Sequence, residues 1–236
     1  MPIPMARHPT ARRAHRPAPS DDDAFIERVL ETSVWAKTHQ RLLVWGGILV
    51  LILIGSFFWY RNYRATLNAN AAADLTTVRQ TVISGNHALA VRDLEQFLAQ
   101  YGGTTSAAEG RLMLAEEYLA TNQPQQAVNA VSEQALHLDE PLGPPAAFLV
   151  AAGLESVNQF ERAESVLLRV ASEAPLTSQR ERALDALARN RMERGDAAGA
   201  AQAYDQLLEM LPDNSPARPV HEMRRAEAQA RATAGT

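Results

Sequence analysis

Four stretches of the chain repeat one pattern at a nearly constant period. They are GNHALAVRDLEQFLAQYG from Gly85, NQPQQAVNAVSEQALHLD from Asn122, NQFERAESVLLRVASEAP from Asn158 and GDAAGAAQAYDQLLEMLP from Gly195. Their small residues Ala90, Ala127, Ala163 and Ala200 fall 37, 36 and 37 residues apart. The turn formers Gly85, Asn122, Asn158 and Gly195 keep that spacing, and so do Gly102, Asp139, Pro175 and Pro212. Three columns in register over four units constrain the fold strongly. A unit this short cannot bury its own apolar face, so successive units must stack.

Each column has a physical meaning. Gly or Asn accepts a left-handed backbone conformation, which ends the first helix of a pair. The alanine five residues on marks a close approach of two helices, and Leu94, Val131, Leu167 and Tyr204 extend the same face one turn later. Pro175 and Pro212 stop the second helix. Upstream, Ala115, Ala151 and Ala188 hold the small position of the first helix in units two to four. Tyr118 and Leu154 hold the large position one turn on, and Arg191 departs from it. The first helix of unit one, over 74–84, is weakly patterned and reads as a capping helix continuous with what precedes it. Residues 215–232 read as a C-terminal cap, with a tail over 226–236 poor enough in apolar anchors to fray. With 42 alanines, the best helix former, the composition agrees. The expected fold is all-α: one membrane helix followed by a solenoid, its period near the ~34 residues of tetratricopeptide repeats.

One segment stands outside the repeats. Leu42–Tyr60 runs 19 residues without a charge, between Arg41 and Arg61. At ~1.5 Å per residue it spans ~28 Å, close to the hydrocarbon core of a bilayer. Trp45 near one end and Trp59 and Tyr60 at the other suit the headgroup level. The run is longer than the core of a cleaved signal peptide and follows a 41-residue leader, so an uncleaved anchor is expected. The expected organisation is a disordered leader over 1–20, a juxtamembrane amphipathic helix over 21–41, the membrane helix over 42–60, a linker or capping helix over 61–84, repeats over 85–213, and the cap and frayed tail over 214–236. The segment with Phe25, Ile26, Val29, Leu30 and Val34 at helical spacing reads either as an interfacial helix or as a continuation of the membrane helix.

Orientation rests on charge. Arg28, Lys37 and Arg41 on one side balance Arg61, Arg64 and Arg79 on the other. Arg7, Arg12, Arg13 and Arg16 in the leader then favour a cytoplasmic N-terminus and translocated repeats. The alternative is a cytoplasm-facing repeat adaptor, or a cell-envelope or division scaffold.

A single-pass anchor ending in Trp59, Tyr60, Arg61 and Tyr63, followed by a linker helix and such repeats, resembles the YfgM-type family over about residues 35–213. These are ancillary subunits of the bacterial Sec translocon, related in their repeats to periplasmic cell-division coordinators. The resemblance implies inner-membrane localisation with periplasmic repeats. It also implies contacts with Sec channel subunits, a membrane-anchored prolyl isomerase and exported chains. The leader over 1–33 has no counterpart in it.

No chemistry assembles along the chain. The absence of cysteine removes thiolate metal sites and thiol nucleophiles. The histidines are scattered, and His137 with Glu140 is a lone pair of surface type. The paired carboxylates Glu116-Glu117 and Asp139-Glu140 read as solvated faces. There is no phosphate-cradling loop and no nucleophile elbow. No cofactor, no metal and no enzymatic activity are expected. Residues 61–236 carry 16 basic and 22 acidic side chains, net -6, which does not suit nucleic acid.

Function is expected on the face lined by the first helices of successive units. Counting from the turns places Leu112, Glu116 and Leu119 there from unit two, Phe148, Ala152 and Glu155 from unit three, and Arg182, Asp185, Arg189 and Met192 from unit four. This candidate partner-binding face is apolar toward the membrane end and charged toward the C-terminus. With Lys37 as the one lysine, it cannot build the Lys–Asn–Arg clamp that grips C-terminal carboxylates, and Leu75 and Met113 occupy two of the clamp columns.

Overall fold

The structure, a computed structural model, describes residues 39–234. The leader over 1–20, most of the juxtamembrane segment over 21–41, and the last two residues lie outside the described residues. The described residues divide into two units, with the boundary between Asn62 and Tyr63.

All regular structure among the described residues is helical. Helix α1 spans Gln40–Ile83, so the apolar run and the linker after it are one helix of 44 residues. In the first unit, the described side chains of Leu42–Tyr60 are all exposed, including Leu42, Trp45 and Trp59 at 66, 70 and 70%. The apolar stretch is long enough to cross a membrane.

In the second unit, α2 (His87–Tyr101), α3 (Thr105–Ala120), α4 (Pro124–Val131), α5 (Gly143–Ser156), α6 (Phe160–Glu173), α7 (Thr177–Glu193), α8 (Ala197–Met210) and α9 (Arg218–Ala234) follow in order. Each helix from α2 onward packs on the next. The first helices also touch side by side, α3 on α5 and α5 on α7. This is a stack of hairpins, and its core runs from Leu94 to Ala228. A smaller cluster of Ala71, Leu75, Phe97 and Tyr101 closes the first hairpin.

The columns of the sequence explain the stack. Gly85, Asn122, Asn158 and Gly195 all have left-handed backbone, with φ of 75, 58, 58 and 84°. At three of these turns the same two hydrogen bonds close the helix end. Asn122 N donates to Leu119 O and Gln123 N to Tyr118 O, and the pairs Asn158–Glu155 with Gln159–Leu154 and Gly195–Met192 with Asp196–Arg191 repeat this. That is the Schellman arrangement, which satisfies carbonyls a helix end would otherwise leave open. The next helix begins at once, and two of these helices have side-chain caps: Asn86 accepts from Leu89 N at 3.1 Å and Asp196 from Gly199 N at 2.9 Å. Ala90, Ala127, Ala163 and Ala200 are each fully buried, as are Ala115 and Ala188.

Three features depart from the regular pattern. In unit two the second helix stops at Val131, and a short 3-10 turn over Gln134–Leu136 follows. That segment buries Ala135 and Leu138 while Leu136 stays 63% exposed. The return into α5 is so tight that a Cβ on Gly143 would lie 1.9 Å from His137 O. In unit four, Arg191 replaces an apolar residue by pairing with Glu164 at 2.7 Å, and Glu164 also holds Arg194 at 2.8 Å. At the C-terminus the helix runs on through 226–234, where fraying is expected, because Ala228 is fully buried against the core. Arg218 anchors that cap by donating to Leu208 O at 3.0 Å and Leu211 O at 2.8 Å, the open carbonyl end of α8.

Candidate interaction surface

Cross-helix contacts stitch the first helices into one face. Arg79 of α1 pairs with Glu109 of α3. The Arg182 guanidinium lies 4.3 Å above the Phe148 ring, joining α7 to α5. Asn190 of α7, 1% exposed, donates to Glu155 of α5 at 2.8 Å. Asp185 of α7 accepts from Arg224 of α9 at 2.7 Å.

The expected face residues divide. Leu112 is 8% exposed and belongs to the core, which corrects its placement on the binding face. Helix α3 packs on α2, α4 and α5 at once, so its buried arc is wider than the helical count alone allows. Glu116, Arg182 and Arg189 are exposed. Leu119, Phe148 and Met192 are half-buried against the core, and Ala152, Glu155 and Asp185 are half-buried as well. The structure joins Phe148 to Arg182, and Asp185 to Arg189 at 3.4 Å.

The electrostatics follow from this packing. Partial burial, then the charge of Glu117, raises the Glu116 carboxyl above its ordinary range. Glu117 itself is 6% exposed, and His87 Nδ1 lies 2.8 Å from its carboxylate. Burial first, then Asp185, raises the Tyr204 phenol. The Arg224 guanidinium is held charged chiefly by Asp185.

Residues outside the sequence-derived set also shape the face. Arg224 and His221 come from the cap helix, His221 Nδ1 lying 3.6 Å from Asp185. Asp185 already has Arg189 four residues on in its own helix, so nothing in the sequence pointed to Arg224 or His221. Gly153 marks a close approach of α5 and α4, where a Cβ would meet Val128 at 2.6 Å. The alanine columns pass two residues from it without marking it.

Chemistry is sparse. Among the described residues no group of three or more His, Asp or Glu could hold a metal ion. A cavity of about 270 Å³ between α1 and α2 has Asp74 and Asp93 on its wall, but each accepts a hydroxyl hydrogen bond, from Tyr101 and Thr81.

Stacked hairpins with left-handed turns, alanine contacts and a stitched row of first helices define a tetratricopeptide-type solenoid, a class that holds protein segments and typically performs no chemistry. The tetratricopeptide repeat-like domain profile matches residues 34–230, and the chain belongs to that family. Crystal structures of kinesin light chain nearly identical TPR-like repeats from Podosopora anserina, in two versions, resemble it with a TM-score of 0.57 and 22% identity, over 70% of this chain and 88% of theirs. MamA resembles it with a TM-score of 0.48 and 14% identity, over 67% of this chain and 95% of its own. No curated protein matches the chain by sequence.

Proposed function

We propose that this protein is a membrane-anchored scaffold whose repeats bind protein partners at the periplasmic face of a bacterial inner membrane, as an ancillary factor of the Sec translocon. The observation that carries the reading is a 19-residue apolar run, exposed at every described side chain, at the head of the helix that leads into the repeats. Exposed apolar surface on that scale needs a cover, and a bilayer matches its length. The leader's four extra arginines favour a cytoplasmic N-terminus. The resemblance to the YfgM-type family supports Sec channel subunits, a membrane-anchored prolyl isomerase and exported chains as partners. The binding surface is the face with Glu116, Leu119, Phe148, Ala152, Glu155, Arg182, Asp185, Arg189 and Met192. No catalytic step is assigned to it.

The test is a pair of C-terminal fusions, one to alkaline phosphatase and one to a fluorescent protein that matures only in the cytosol. Phosphatase activity without fluorescence is expected. The reverse result removes the periplasmic reading and leaves a cytoplasm-facing adaptor, which the three-against-three tie in flanking charge leaves open. Photocrosslinkers at Glu116 and Phe148 are then expected to capture channel subunits or exported chains. Capture of neither withdraws those partners.

A further inference from the structure

On the face of α5, α7 and α9 the arginines Arg182, Arg189 and Arg224 outnumber the carboxylates Glu155 and Asp185, on a domain that is otherwise acidic. Residues 61–236 have six more acidic than basic side chains, yet Arg189 and Arg224 share one carboxylate here, and Arg182 lies over the Phe148 ring. Arg182, Asp185 and Arg189 stand at i, i+3 and i+7 of α7, on one face of the helix. Asp185 is shared: one oxygen takes Arg224 at 2.7 Å and the other faces Arg189 Nε at 3.4 Å. His221 adds a third neighbour at 3.6 Å. A guanidinium offers five donors and a carboxylate about four acceptor positions, so two guanidiniums on one carboxylate leave donors over. Arg189 is 61% exposed along its side chain, with room for a second anion.

Arg182 adds to the excess. Its partner is the Phe148 ring, at 4.3 Å. A guanidinium held over an aromatic ring keeps its N–H donors for other partners, and a carboxylate can take two of them in parallel. Phe148, half-buried beside Ala152, supplies an apolar shelf next to those donors.

We propose that the face formed by α5, α7 and α9 binds an acidic segment of a partner protein, with side-chain carboxylates on Arg182 and Arg189 and a neighbouring apolar residue on Phe148. The inference rests on reading the repeats as a peptide-binding scaffold and names the partner's chemistry. Charge complementarity selects the occupant. A basic segment would be repelled by Arg182 and Arg189, and an uncharged one would leave their outward donors without a second anion.

The test uses the full chain in detergent micelles and fluorescein-labelled 12-residue peptides, one alternating Glu with Leu and Phe, the other with Lys in place of each Glu. Fluorescence anisotropy is expected to show saturable binding of the acidic peptide alone, weakening as salt rises. Arg182→Glu with Arg189→Glu is expected to weaken it at least about tenfold, since charge-assisted hydrogen bonds are lost and repulsion is added. Arg182→Gln with Arg189→Gln is expected to give a smaller loss and guards against misfolding of the charge-reversed chain. Phe148→Ala is expected to weaken the acidic peptide as well. Equal binding of the two peptides, or binding indifferent to the arginines, overturns the assignment. So does arginine-dependent binding of phosphatidylglycerol vesicles with no peptide binding, which would make the face a lipid contact. If Phe148 crosslinks protein partners in cells while the acidic peptide fails to bind, the scaffold reading stands and this inference falls.

Discussion

Arg191 stands where Tyr118 and Leu154 stand in the preceding units, and its guanidinium lies 2.7 Å from the Glu164 carboxylate. Both side chains are mostly buried, at 18 and 14% exposure. The position keeps its role of joining α7 to α6 but changes its chemistry from apolar packing to an ion pair. Arg194 binds the same carboxylate at 2.8 Å, and Arg191 also donates to Gly199 O at 3.0 Å.

Breaking that pair on one side is expected to be costly. Arg191→Ala removes packing and part of the compensation for a mostly buried Glu164, so a loss of about 3 kcal/mol is expected. The double change Arg191→Leu with Glu164→Leu restores the column chemistry and is expected to cost less than the single one. Thermal melts of the full chain in detergent, followed by circular dichroism, compare the two. A double variant less stable than Arg191→Ala refutes the account.

The alanine column leaves no room. Ala163 and Ala200 are fully buried at helix contacts, so Ala163→Trp or Ala200→Trp forces helices apart at a cost of about 1–3 kcal/mol. The melting midpoint is expected to fall in both. An unchanged midpoint means that the assigned repeat register is wrong.

The turns discriminate by backbone. Asn158 has φ 58°, where glycine is at ease and a β-branched residue is strained. Asn158→Gly is expected to be nearly neutral, while Asn158→Val is expected to lose about 1–2 kcal/mol. Equal midpoints for the two variants would contradict a left-handed turn at this position.

Alkaline pH is expected to loosen the second unit at Tyr118. Burial first, then the hydrogen bond to Glu95 at 2.5 Å and the charge of that carboxylate, push its phenol up to about 12. The neutral phenol is the form the fold favours. The stabilisation is therefore complete below the unfolded value near 10 and is lost as pH rises from there through about 12. Denaturation at a series of pH values is expected to show a falling stability over that window. Tyr118→Phe is expected to flatten this dependence. A variant as pH-sensitive as the parent would mean that another group carries it.

Much of this architecture was legible in the chain. The left-handed turns at Asn122 and Asn158, the buried alanines and the apolar run at the head of α1 are local demands on backbone angle, side-chain volume or polarity, and the repeat states most of them four times over. Only the tertiary structure decided which surface residues meet. Phe148 with Arg182, Glu155 with Asn190, Glu164 with Arg191 and Asp185 with Arg224 are all 27 to 39 residues apart. Each depends on how two helices are rotated and displaced, where one helical position moves a side chain by about 100° around its axis. The same rotation took Leu112 from the expected face into the core, because α3 has neighbours on three sides.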